Sequence, residues 1–426
     1  MTNREMKDSG VEWIGEIPDR WVVGKVQNAF YRKKEKANVV NPTILSLARS
    51  GIKVRDISNN EGQLAADYSN YNPVSVGDVL LNPMDLVSGA NCNISNIEGV
   101  ISPAYINLRA KADYYAKYYN YYFKLQYWSY AFFAHGKGVS YENRWTLNNE
   151  TIMKYPIPVP SYEEQQKIAT FLDDKISHID KIIEDTKKSI ENLKAYKQSL
   201  ITETITKGLD PTVEMKDSGI DWIGKIPKHW ISSRIKYVTN ISRGQFSHRP
   251  RNDERYYDGQ YPFIQTGDVA RAKKYITTYS QTLNELGKSV SKEFPKGTLV
   301  MNIAANVGDV AILDFDSYFP DSVVGFVPKE KYHWNYLYYT FTGMKSMFVR
   351  TAISNTQLNL NVDRIKDMHV PVTTDYNEQL KISEFLDKKV SNIDSLLEKK
   401  GEVVTELESY KKALIYEYVT GKKEVK

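Results

Sequence analysis

The stretch MKDSGVEWIGEIPDRW, which begins at Met6, returns as MKDSGIDWIGKIPKHW from Met215, an offset of 209 residues. A second pair follows each copy: YEEQQKIATFLDDKISHIDKIIE from Tyr162 and YNEQLKISEFLDKKVSNIDSLLE from Tyr376, offset by 214. The order is opening, variable segment, helix block, and then the same three again. Solenoid units run to roughly 50 residues or fewer, so a period this long means two whole domains of one design. A chain of 426 residues is also too long for a single core. Between the shared blocks the two inserts differ, so the frame reads as scaffold and the inserts as carriers of two specificities.

The helix blocks carry a seam. Leu172, Ile176, Ile179, Ile183, Thr186, Ile190, Leu193, Lys197 and Leu200 step by four and three without a break. Leu386, Val390, Ile393, Leu397, Lys400, Val404, Leu407, Lys411 and Leu414 do the same. Alternating steps of four and three are the heptad signature of a coiled coil. The polar members match between copies, Thr186 with Lys400 and Lys197 with Lys411, which helps to fix register. Each helix is expected to run for about 45 residues, roughly 65–70 Å. Neither can bury its seam alone. Each packs most simply on the other, the alternative being coiled coils between copies of the chain. Ser161 is the expected N-cap of the first helix, with Glu163 and Glu164 in its first turn and Gly208 and Pro211 as stop signals.

The inserts read as mixed and strand-rich: NPVSVGDVLLNPMD and FPKGTLVMNIAANVGDVAIL each place a turn glycine before a short β-type run. Each then ends in an aromatic, helix-compatible stretch, AKYYNYYFKLQYWSYAFFA and HWNYLYYTFTGMKSMFVRTA. Those rings at helical spacing read as core before they read as stacking platforms for bases. The expected architecture is therefore α+β. Two similar mixed α/β domains are separated by two long antiparallel coiled-coil helices, as a pseudo-twofold internal repeat.

Several chemistries are missing. ELGKSV, from Glu285, has the Gly-Lys-Ser of a phosphate loop, but Thr282 stands where the leading glycine is required. NPMD, from Asn82, lacks the second proline and the ring of an amino-methyltransferase motif. The six histidines have no metal-ligand spacing and no glycine-rich turn suits an adenosine cofactor. The reading is a non-catalytic chain with no catalytic or metal-binding residues. A single cysteine, Cys92, fits a reducing cytoplasm; the opening residues show no signal-type apolar run, and no apolar run reaches 18 residues, so a cytoplasmic location without membrane contact is expected.

A formal charge of +5 permits a polyanionic partner. Two similar but unlike domains on a stiff spacer suit double-stranded DNA, whose equivalent groove faces recur about every 34 Å. The best candidate contact segment is SRGQFSHRPRNDERYYDGQYPFIQTGD, with Arg243, Arg249, Arg251 and Arg255 among Gln245, Ser247 and His248, followed by Gln265 and Thr266. Arginine pairs bidentately with guanine, glutamine with adenine, and any of these arginines can hold phosphate. The same segment also reads as a solvated loop balanced by Asp253 and Glu254. In the first insert the counterparts are Arg49 and Ser50, then His135, Lys137, Tyr141 and Arg144, the last group standing opposite Asn355, Thr356 and Gln357.

The two openings, the helix entries IPVPSYEEQQKIATFLD and VPVTTDYNEQLKISEFLD, and their duplicated order resemble the specificity subunit of Type I restriction–modification systems along essentially the whole chain. The resemblance implies target-recognition domains at 20–160 and 229–374, each reading one half of a bipartite, asymmetric site. Repeat openings would occupy 1–19 and 209–228, and helical regions 161–208 and 375–426, the latter with a basic tail. It further implies that the helices set the half-site spacing and dock two methyltransferase subunits, which bring S-adenosylmethionine and methylate adenine. Motor–nuclease subunits would add ATP- and Mg-dependent translocation and cleavage, leaving this chain without a cofactor. The alternatives are a coiled-coil assembly protein whose inserts bind protein, and a methylation-only or regulatory specificity subunit.

Overall fold

The computed structural model describes residues 4–39, 41–56, 68–138, 145–354 and 358–425. The chain forms two compact units, Met1–Lys187 with Glu402–Lys426, and Lys188–Gly401. The division falls inside both long helices.

The doubled opening folds the same way in both units. Met6–Asp8 pairs antiparallel with Glu16–Pro18, and Met215–Asp217 with Lys225–Pro227, in one register, Met6 opposite Pro18 and Met215 opposite Pro227. Asp8 Oδ1 accepts the Gly10 N–H at 2.9 Å and Asp217 Oδ1 that of Gly219 at 2.8 Å. Gly10 and Gly219 turn with φ of 70° and 74°, a left-handed conformation that carries no Cβ penalty in glycine. Each opening ends in a fully buried indole, Trp21 or Trp230.

Unit one carries an antiparallel four-stranded sheet in the order Phe30–Arg32, Ile106–Ala110, Val79–Leu81, Cys92–Ile94. Unit two repeats that order as Thr239–Arg243, Val323–Pro328, Leu299–Asn302, Val310–Leu313, and adds Tyr275–Ile276 in parallel at the edge. Unit two also has a second sheet, Gln281–Leu283, Tyr257–Phe263, Ser317–Tyr318, Glu293–Phe294. The aromatic stretches are helices, Ala116–Trp128 and Trp334–Gly343. Tyr118, Tyr119, Tyr122 and Phe123 are buried in the first, and Tyr336, Tyr339 and Phe341 in the second. Burying a large side chain of this kind contributes about 1.5–3 kcal/mol, so these rings are core.

The long helices run Tyr162–Lys207 and Tyr376–Val419. Ser161 Oγ accepts from Glu164 N at 3.3 Å and Asp375 Oδ1 from Asn377 N at 2.9 Å, so each start is capped by its own sequence. In unit one, residues 162–187 meet 402–419 antiparallel: Asp180 pairs with Lys411 and Lys187 with Glu408. In unit two, Ile201 and Ile205 share a core with Ile382 and Leu386. Along the seam Leu172, Ile176, Ile179, Ile183, Leu386, Ile393 and Val404 are buried, and Ile190, Leu193, Val390, Leu397 and Leu407 half-buried. Two of the lysines that interrupt the seam, at equivalent places in the repeat, are ion-paired in the same way in each unit: Lys197 to Asp394 at 2.7 Å, and Lys411 to Asp180. Lys411 and Asp394 each stand 214 residues beyond Lys197 and Asp180, so one interaction is made twice with the helices exchanged.

Candidate nucleic-acid interface

The frame fixes the inserts through three repeated side-chain contacts. Gln165, fully buried, accepts from Tyr115 N at 2.7 Å and donates to the carbonyls of Pro160 and Asp113 at 3.0 and 3.4 Å. Gln379 accepts from His333 N at 2.7 Å and donates to those of Thr373 and Lys331 at 2.9 and 3.0 Å. Glu164 accepts from Trp21 Nε1 at 2.9 Å and Glu378 from Trp230 Nε1 at 3.0 Å. Asp173 takes the Tyr121 hydroxyl at 2.8 Å; Asp387 takes that of Tyr339, with Asn335 and Lys274. Burial opposes the charge on Asp387, but these donors outweigh it and hold the carboxyl below the usual range.

On this frame the arginine segment of unit two is a fastened loop. The His248 ring stacks on Tyr256 at 4.0 Å and Phe246 on Tyr257 at 5.7 Å. Asn284 Nδ2 donates to the carbonyls of Arg255 and Tyr257 at 2.9 and 3.0 Å. Asp253 accepts from His248 Nε2 at 3.0 Å and pairs with Arg255 at 2.6 Å, and the Arg255 guanidinium holds its carboxyl far below the usual range. Arg249 and Arg251 both reach Asp321, and Arg243 Nε donates to the Asp321 carbonyl at 2.6 Å. The exposed Gln245 donates to Ser247 Oγ at 2.9 Å. Gln265 and Thr266, half-buried, serve the fold: Gln265 Nε2 donates to Gln281 Oε1 and the Thr266 carbonyl accepts from Asn302 Nδ2, both at 2.9 Å.

Unit one places its candidates differently. Arg49 and Ser50 form the exposed tip of the hairpin Leu45–Ala48/Gly51–Val54. They line a cleft of about 530 Å³ with Lys124, Asp180 and Lys411, where burial lowers the Lys124 pKa. His135 is half-buried, its Nδ1 donating to the Ala131 carbonyl at 2.8 Å and its ring edge-on to Trp13. Lys137 is exposed beside the main-chain bridge it forms with Thr146. Tyr141, Arg144, Asn355, Thr356 and Gln357 lie outside the described residues.

Residues the sequence reading passed over join the arginine loop. Ser247 N donates to the Val290 carbonyl at 3.0 Å and Phe246 bridges Ser291, which sets Lys288 and Lys292 alongside. Lys288 lies over the Tyr261 ring at 4.3 Å and Lys292 Nζ donates to Ser242 Oγ. ELGKSV is here a short helix, Glu285–Ser289, whose N-cap Asn284 occupies the Leu286 and Gly287 amides that a phosphate loop would offer. Its lysine is still a surface cation. Among the described residues no three potential metal ligands cluster, and no helix is long and apolar enough to cross a membrane.

The comparisons with known proteins agree with this architecture. The "Type I restriction enzyme MjaIX specificity subunit" of Methanocaldococcus jannaschii is 30% identical over 183 residues, 42% of this chain and 41% of that protein. The MjaVIII specificity subunit of the same organism is 24% identical over 287 residues, covering 63% and 62%. The matches thus span from about two-fifths to under two-thirds of these relatives' length. Among solved structures, a chain described under "complex assembly and conformational transition of the type I R-M system" superposes with a TM-score of 0.72 at 14% identity, covering 95% of this chain and 98% of that one. The HsdS subunit from Thermoanaerobacter tengcongensis gives 0.52 at 12%, covering 96% and 98%. At such identities the likeness is one of fold. The profile of the Type I restriction modification DNA specificity domain matches twice, at 57–192 and 227–406, once on each half of the repeat. With the frame built twice from the same contacts and the profile matched twice along it, this chain belongs to the Type I restriction–modification DNA specificity family.

Proposed function

We propose that the chain is the DNA-reading specificity subunit of a Type I restriction–modification complex. Each insert reads one half of a bipartite, asymmetric site on double-stranded DNA. The long helices set the spacing between halves and dock two methyltransferase subunits. S-adenosylmethionine is bound by those subunits, and ATP and Mg by the motor–nuclease subunits; this chain performs no catalysis. The observation that carries the reading is the contrast between frame and loops. The indole–glutamate, glutamine and seam ion-pair contacts repeat pair by pair in both units, whereas the cation-bearing loops do not. A shared frame suits identical partners, and unlike loops suit two unlike half-sites.

The test is long-read detection of methylated adenine in host DNA with the gene intact and deleted. Loss of one split, asymmetric motif on deletion is the expected result. An unchanged methylation pattern counts against the reading, and pull-down of partners would then ask whether the inserts bind protein.

A further inference from the structure

The arginine loop holds a carboxylate where a simple phosphate grip has no use for one. Asp321 sits in the turn between Ser317–Tyr318 and Val323–Pro328, seventy residues from Arg251 in the chain. Close approach of the two segments depends on Gly244, whose added Cβ would lie 2.3 Å from the Pro320 carbonyl oxygen. Asp321 is about one-third exposed, so it faces whatever covers the loop.

The two arginines that reach it are not equivalent. Arg249 folds back on its own loop, donating Nη1 to the carbonyls of Phe246 and His248 at 2.6 and 2.8 Å, with Nη2 3.6 Å from Asp321. Arg251 gives Nη2 to Asp321 Oδ1, and its main-chain carbonyl is held by the Tyr257 hydroxyl. A guanidinium has five N–H donors in a rigid fork. Among the described residues, Nε and Nη1 of Arg251 have no protein partner, and its side chain is 44% exposed.

We propose, resting on the DNA-reading function above, that Arg251 reads a guanine edge and that Asp321 is the residue that positions it. A carboxylate among arginines repels phosphate and so weakens a purely electrostatic grip. The same carboxylate, holding a guanidinium by one nitrogen, fixes the orientation of the remaining donors. That fixed fork is what bidentate pairing to guanine O6 and N7 requires. Arg249, with its donors turned onto its own backbone, shapes the loop, and Lys288 and Lys292 supply charge toward phosphate.

The experiment uses the full chain in its complex, with the target taken from the methylated motif. Binding to that target is competed against variants in which each G·C pair of the half read by residues 229–374 is changed singly. At one such pair the unaltered protein should discriminate by about tenfold to a hundredfold. Arg251→Lys, which keeps the charge and loses the fork, and Asp321→Asn, which loses the positioning, should both bring that ratio toward one. The inference is overturned if both variants keep the full ratio, or if Arg251→Lys weakens all sequences alike, as a phosphate contact would. Should Asp321→Asn not accumulate as folded protein, Arg251→Lys decides by itself. An unaltered complex with no sequence preference at all sinks the DNA-reading function, and this inference with it.

Discussion

Two buried glutamines do more to hold the inserts than their sequence suggests. Gln165 and Gln379 are fully buried, each bonded to three main-chain groups that belong to the insert or to the strand entering the helix. Replacing Gln379 by Leu leaves those groups buried without partners, and each costs about 1–3 kcal/mol. Chemical denaturation should therefore show Gln379→Leu destabilised by about 3 kcal/mol or more, with Gln165→Leu similar; a loss under 1 kcal/mol would mean the groups find other partners. Asp387 gives a pH-dependent counterpart. Its folded pKa is depressed, so its contribution is present above the unfolded carboxylate pKa and is lost as pH falls through the folded one. The stability gap between the unaltered chain and Asp387→Asn should be widest above about pH 5 and should close below about pH 4. A gap that does not vary with pH would show that the carboxyl has the same pKa in the folded and the unfolded chain.

At the scale of elements, the ends of the long helices are the informative places. Gly208 and Gly421 both follow a helix with φ of 74°, so an alanine at either costs roughly 1 kcal/mol in backbone strain. Their surroundings differ. A Cβ on Gly421 would lie 2.5 Å from Pro18 Cδ, whereas on Gly208 the nearest atom is Trp230 Cζ2 at 3.4 Å. Gly421→Ala should thus lower the melting temperature more than Gly208→Ala. The contact also shows that the second helix ends against the first opening, as the first helix ends against the second. Within the seam, Asp394 is 24% exposed and Asp180 51%. Water screens the more exposed pair. Asp394→Ala should cost about 1 kcal/mol and Asp180→Ala measurably less, and equal losses would show that exposure does not set the strength of these pairs.

For the whole molecule, the prediction concerns modularity. Exchange of residues 229–374 for the equivalent segment of another family member should change one half of the methylated motif and leave the other, because the frame contacts that receive the insert are repeated in both units. A change in both halves would mean that the inserts do not read independently, and the proposed reading would have to be abandoned.

Much of this was legible in the sequence because it is local or periodic. The duplication, the heptad steps, the cap at Ser161 and the break at Gly208 depend on residues within a turn or two of each other, so spacing alone reveals them. The aromatic stretches followed from helical spacing for the same reason. Sequence spacing could not show that Gln165 and Gln379 would join helix entry to insert. Nor could it show that the balance of the arginine loop is shared between nearby Asp253 and a distant Asp321, or that Lys288 and Lys292 would come beside it. Those are pairings between segments far apart in the chain, brought within bonding distance only when the sheets form. Local spacing specifies a twice-built frame with two unlike inserts; which carboxylate meets which arginine is settled only by the fold, because a charge pairs with whatever is set within a few ångströms of it.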